Sequence, residues 1–179
     1  IVRRVLELTD RKDVPVGSRK PDHAKLCVSP FHYQLLGQVA PGEPDGLGHE
    51  ILSQVLQKYP DTVVVTGAPL SNLYALLEQH PTITIQRWVA QGGFAGDSVV
   101  PPEYRLAKFA GRETCATYNF NGDPKAALFL LSSPRVLKRD LVSKNVCHGV
   151  VYDKALHQKL ALIKDKTPGL HLIYRGMEL

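Results

Sequence analysis

The seven residues Asp61-Thr62-Val63-Val64-Val65-Thr66-Gly67 constrain this chain's fold more than any other stretch. β-Branched side chains are stiff at χ1 and pack well on a pleated surface. The run shows no alternation of apolar and polar residues, which suits a parallel strand covered on both faces. Parallel strands need long crossovers, usually helical, and the residues that follow supply one. Ser71 or Asn72 can cap a helix carrying Leu73, Leu76 and Leu77 on one face and ending at Pro81. Ile83 to Ala90 reads as a second strand running into Gly92-Gly93. Asp123-Pro124 opens another helix, with Asp as N-cap, Pro at the first helical position and Ala126, Ala127, Leu130 and Leu131 as its buried stripe. Lys138 to Val146 reads as a third strand and Asp153 to Lys164 as a last helix. Repeated strand–helix units imply an α/β fold, an open, mostly parallel, Rossmann-like sheet with helices on both faces. Ligands of such sheets sit beyond the carboxyl ends of the strands.

Upstream, Val2, Val5, Leu6 and Thr9 give a helix over 1–10. Asp13 to Val16 is a short extended piece, since Pro15 pushes its predecessor out of helical geometry. Residues 17–49 read as a long irregular loop. A helix follows from Gly48, with Ile51, Leu52, Val55, Leu56 and Tyr59 on one side and Pro60 as its stop. The whole, 1–179, reads as a single domain containing that loop and a polar insertion at 98–115. The first helix starts uncapped at Ile1, as in the middle of a protein. No apolar run reaches the roughly 18 residues a membrane helix needs. The net charge of +5 comes from scattered basic pairs without interleaved aromatics, so a nucleic-acid partner has no clear basic stripe to bind. Cys27, Cys115 and Cys147 form no CxxC pair and leave one thiol over, which favours a reducing compartment, the cytoplasm or an organelle.

The loops at the strand ends carry the chemistry. They read Thr66-Gly67-Ala68-Pro69-Leu70-Ser71-Asn72, then Gly92-Gly93-Phe94-Ala95-Gly96-Asp97, then Thr117-Tyr118-Asn119-Phe120-Asn121-Gly122-Asp123-Pro124, and last Asn145-Val146-Cys147-His148-Gly149. This order resembles the inosine/uridine-preferring nucleoside hydrolases: a G-P-L-T-N turn, a G-G loop, an E-F-N-x-x-x-D-P helix start and a strand ending in His-Asp. Gly42-Glu43-Pro44-Asp45-Gly46-Leu47-Gly48 is similar to that family's H-G-x-D-G-L-G loop, and Val5–Leu8 with Asp13–Val16 to the helix and strand before it. The resemblance implies a ribose pocket at the carboxyl edge of the sheet and a Ca²⁺ that positions and acidifies the attacking water. It implies binding of a nucleoside or other ribosylated small molecule, cleavage of the N-glycosidic bond to ribose and free base, a role in purine and pyrimidine salvage, and an oligomer. Such a site needs oxygens near an oxocarbenium-like transition state, a hard cation, and a proton donor for the leaving base. Carried over by position, Asn119, Asp97 and Thr117 fall at the sugar, His148 at the leaving-group acid, and the backbone carbonyl region of Thr66 at the calcium.

The departures are as specific as the matches. The family's D-T-D-x-x-x-D-D motif lies upstream of anything in this chain, Thr117 stands where a Glu contacts the sugar, and Gly149 replaces an Asp of the calcium shell. Ca²⁺ takes six to eight oxygens with carboxylates supplying the charge, so calcium binding is weakened. The alternative to a hydrolase is therefore a catalytically impaired relative acting as a binding or structural subunit of a larger complex. Blander roles stand beside each residue: Asn119 can hold a turn, Asp123 can serve only as an N-cap, His148 can bond to backbone, and Cys147 can be a buried, inert thiol. Gly92-Gly93 lacks the Lys-Ser/Thr of a phosphate cradle.

Overall fold

A computed structural model describes residues 1–19 and 29–179; Cys27 and His23 lie outside the described residues. The chain forms two compact units, residues 49–151 and residues 1–48 with 152–179.

In the unit 49–151, β3 (Val63–Thr66), β4 (Ile85–Gln91) and β5 (Val136–Val142) form a parallel sheet in the order β3-β4-β5. Val64 pairs with Trp88 and Trp88 with Arg139, so these side chains share one face. Helices α4 (Ser71–Gln79) and α6 (Pro124–Ser132) line that face. Leu73, Leu76 and Leu77 of α4, and Ala126, Ala127 and Leu130 of α6, close a core around Val64, Ile85, Trp88 and Ala90. Trp88 has no exposed surface, and its indole Nε1 donates to Thr66 Oγ1 at 2.9 Å, so the ring's one polar atom is satisfied as burial requires. Arg139 crosses the same face to donate to the carbonyls of Leu130 and Ser133 at 3.2 and 2.5 Å. The opposite row differs: Val63 and Val65 are 44% and 73% exposed. The uniform apolar run is thus buried on one side of the strand only.

Helix α4 starts without a side-chain cap at Leu70; the expected capping residue, Ser71, instead donates its hydroxyl to Asp123 Oδ2 at 2.5 Å. Asp123 caps α6 as expected, its Oδ1 accepting from Ala126 N at 3.1 Å. The third strand ends earlier than the sequence suggests. Ser143 leaves the sheet and caps a further helix, α7 (Lys144–Gly149), its Oγ accepting from Val146 N at 3.5 Å. Residues 144–146, expected in the strand, are therefore helical. The insertion at 98–115 holds two 3₁₀ turns, Pro102–Tyr104 and Ala107–Phe109.

The other unit contains α1 (Val2–Leu8), α2 (Pro30–Leu36), α8 (Lys154–Ala161) and α9 (Pro168–Glu178). Its strands β1 (Gly17–Ser18) and β2 (Gly46–Leu47) form a two-residue parallel pair. Helix α3 (Gly48–Lys58) starts directly after β2. The extended piece thus begins at Gly17, directly after Asp13–Val16. The supposed loop 17–49 is interrupted by α2, started by Ser29 at the cap and Pro30 at the first position. Helix α9 was not legible as a separate element, although Thr167 caps it and Pro168 opens it. Asp45 ties the strand pair together: its Oδ2 accepts from Val16 N at 2.6 Å, and its own N–H donates to Val16 O at 2.8 Å.

Candidate functional site

At the carboxyl end of β4, Gln91 and the Gly92-Gly93 turn meet three other segments. Gly92 N donates to Val142 O at 3.0 Å, and Gly93 O accepts from Lys144 N at 2.9 Å, which joins the turn to the end of β5 and the start of α7. Gly93 N donates to Thr117 Oγ1 at 3.2 Å, and Thr117 N donates to Asn121 Oδ1 at 2.9 Å. Both glycines are needed. A Cβ on Gly92 would lie 2.5 Å from Phe120 Cε1, while Gly93 has φ +78°, a left-handed conformation that glycine adopts without penalty. Phe120 stacks on Trp88 with ring centres 6.3 Å apart, so the G-G turn is shaped by the core beneath it.

Asn119, in the short helix α5 (Tyr118–Asn121), is 5% exposed. Its Nδ2 donates to Gln91 O at 2.8 Å and to Gln91 Oε1 at 2.5 Å. A backbone carbonyl only accepts, so the first bond fixes which way the amide points. The second carries the orientation to Gln91, whose Nε2 is left to donate to Cys147 Sγ at 3.4 Å. Both bonds use Nδ2, so Oδ1 is the acceptor of this amide that they leave unengaged.

The match to known proteins decides the family: residues 1–177 fit the inosine-uridine preferring nucleoside hydrolase family. The chain belongs to that family. An uncharacterized protein of Aquifex aeolicus is 30% identical over 141 residues, 78% of this chain and 47% of that protein. A plant nucleoside hydrolase shares the fold with a TM-score of 0.65 at 20% identity, over 98% of this chain and 55% of the other. An inosine-uridine preferring nucleoside hydrolase from Bacillus anthracis does so with a TM-score of 0.55 at 20% identity, over 78% and 44%. The chain spans about half the length of the relatives it matches.

Within this nucleoside hydrolase-like chain, the residues picked out from sequence are placed as follows. Asn119 and Thr117 sit together, linked through Gly93 and Gln91. Asp97 serves the insertion: its Oδ2 accepts from Gly111 N at 2.8 Å and its carbonyl from Arg105 Nη2 at 2.5 Å. Among the described residues it shares no hydrogen bond with Asn119. His148 lies in the last turn of α7 rather than at a strand end, its ring edge-on to Phe109 at 5.4 Å. Partial loss of water there, followed by the charges of Lys108 and Lys144, lowers its pKa from the usual 6.5. Thr66 spends its hydroxyl on Trp88. A Cβ at Gly149 meets nothing within 4 Å, so packing does not demand glycine at the position of the missing aspartate.

Calcium does not fit what the described residues offer. No group of three or more His, Cys, Asp or Glu able to hold a metal occurs among them; Thr66 can bring only a backbone carbonyl, and Gly149 brings no carboxylate. Likewise, among the described residues no helix is long and apolar enough to cross a membrane. Gln91 and Lys144 were missed from the sequence. A polar residue closing the apolar strand Trp88-Val89-Ala90 was the available signal for Gln91; Lys144 had none.

Proposed function

We propose that this chain serves hydrolysis of the N-glycosidic bond of ribonucleosides, giving ribose and free base, with Asn119 at the sugar. The supporting observation is the locked Asn119 amide in a family match that covers residues 1–177. In this reading Oδ1 accepts a hydrogen bond from a sugar hydroxyl and sets partial negative charge near a ring that turns cationic in the transition state. Thr117 contributes by holding the Gly93 turn, and Asp97 by shaping the insertion beside it. His148 is the proton donor to the leaving base in this reading. Its lowered pKa keeps it mostly neutral at pH 7, so its contribution grows as the pH falls toward that value. The described residues offer no carboxylate set for Ca²⁺, so no step of this reading is assigned to it. Base salvage in a reducing cytoplasm, by an oligomer, completes the proposal.

The test is release of free base from inosine and uridine by the full-length protein, with and without Ca²⁺. Release of free base is expected, and Asn119→Ala should lower it about tenfold, the value of one hydrogen bond. Nucleoside binding with no cleavage under either condition would overturn the hydrolase reading and leave a binding subunit.

A further inference from the structure

Among the described residues the two cysteines, Cys115 and Cys147, are free thiols and partly accessible, but their neighbours differ in kind. Cys147 Sγ receives the amide of Gln91, which is not a nucleophile. Cys115 Sγ receives the Lys144 ammonium at 3.4 Å. Lys144 is fixed at both ends: its backbone N–H donates to Gly93 O at 2.9 Å, and its Nζ also donates to Ala116 O at 3.0 Å. A primary amine is thus held in contact with a sulfur that a small oxidant can reach, and the two residues come from separate segments, the loop before Thr117 and the first turn of α7.

We propose that Cys115 and Lys144 form a reversible sulfur–nitrogen cross-link when the protein meets a hydroperoxide. Cys115 sulfur attacks the outer peroxide oxygen. An S–O bond forms, the O–O bond breaks and an alcohol or water leaves, giving a sulfenic acid. The unprotonated Lys144 amine then attacks that sulfur. An N–S bond forms, the S–O bond breaks, and the oxygen leaves as water with one amine hydrogen. Sulfur gives up two electrons and the peroxide takes them. Two equivalents of a small thiol reverse the step, restoring thiol and amine and yielding one disulfide. The bond removes the Lys144 charge and ties the segment leading into Thr117 and Asn119 to the helix that carries His148.

The experiment is hydrogen peroxide treatment of the folded chain at mildly alkaline pH, proteolysis, and mass spectrometry of the peptides. The expected product is a Cys115–Lys144 peptide pair two hydrogens lighter than its parts, resistant to trypsin at Lys144 and released by dithiothreitol. Cys115→Ser and Lys144→Arg should abolish it, Cys147→Ser should keep it, and Lys144→Arg should leave Cys115 as a dimedone-trappable sulfenic acid. Far-UV circular dichroism confirms that each variant is folded. An unmodified Lys144 beside oxidised Cys115, or a disulfide from Cys115 to Cys147 or Cys27, overturns the proposal.

Discussion

The two units of this chain are held by different forces. Residues 49–151 close a core in which Leu76, Leu77, Ile85, Trp88, Ala126 and Leu130 have no exposed surface, whereas in the unit 1–48 with 152–179 Leu36 is the buried apolar side chain among the described residues. That second unit relies on polar ties. Arg3 donates from Nε and Nη2 to Glu43 O at 3.1 and 2.6 Å and pairs with Asp45 at 3.0 Å, and Asp45 in turn holds Val16. Burial of apolar area is worth far more than exposed ion pairs. The strand ends that bear the site therefore rest on the unit with a core of its own.

The sharpest way to break this contrast is Trp88→Ala, which removes the largest fully buried side chain. Truncating a buried aromatic costs about 3–5 kcal/mol; urea unfolding followed by far-UV circular dichroism should show a loss of that size, and an unchanged midpoint would mean that stability lies elsewhere. Next comes Gly92→Ala. Its Cβ collides with Phe120, and displacing a ring stacked on Trp88 should cost about 1–3 kcal/mol, as overpacking does. Because Trp88 is the chain's one tryptophan, a shift in intrinsic fluorescence should accompany the loss.

Gln91→Leu is milder for stability and sharper for the site. It keeps the backbone carbonyl that fixes Asn119 but removes the second bond, so nucleoside affinity should fall by about three- to tenfold in calorimetric titration, with little change in melting. The smallest expected effect is in the other unit. The N–H of Val16, then the Arg3 guanidinium, lower the Asp45 pKa below the usual carboxylate value. A lowered pKa means that the contribution is full above the ordinary value and is lost as the pH falls through the lowered one. The protection factors for hydrogen exchange at Val16 and Asp45, taken against the intrinsic rate at each pH, should therefore fall in acid while amides of β4 stay protected. Asp45→Asn should reproduce this at neutral pH, with little effect on global unfolding.

Helical stripes and the β-branched run made the central α/β pattern legible, because periodicity is local. The boundaries that failed were set by single capping residues. Ser143 turns the chain from β5 into α7, and Ser29 opens α2 beside a proline; a reading by apolar spacing passes over both. Within the candidate site, the motif singles out Asn119. Its partnership with Gln91, 28 residues earlier, was not legible, since only the parallel register brings the end of β4 to that helix. The same limit applies to Asp97, where position suggested the sugar and only the folded chain brings Gly111 N to one of its carboxylate oxygens.

The exposed row of β3 bears on how this polypeptide behaves in concentrated solution. Among the described residues β3 is an edge strand, paired on one side with β4, and Val65 is 73% exposed. Between Asp61 and Gly67 there is no lysine or proline to discourage a newcomer. An apolar, unguarded strand edge is a template for pairing with another chain. Anything that leaves this row uncovered during synthesis or purification thus favours self-association into sheet-rich aggregates, so the segment that reads most clearly as structure is also a hazard for solubility.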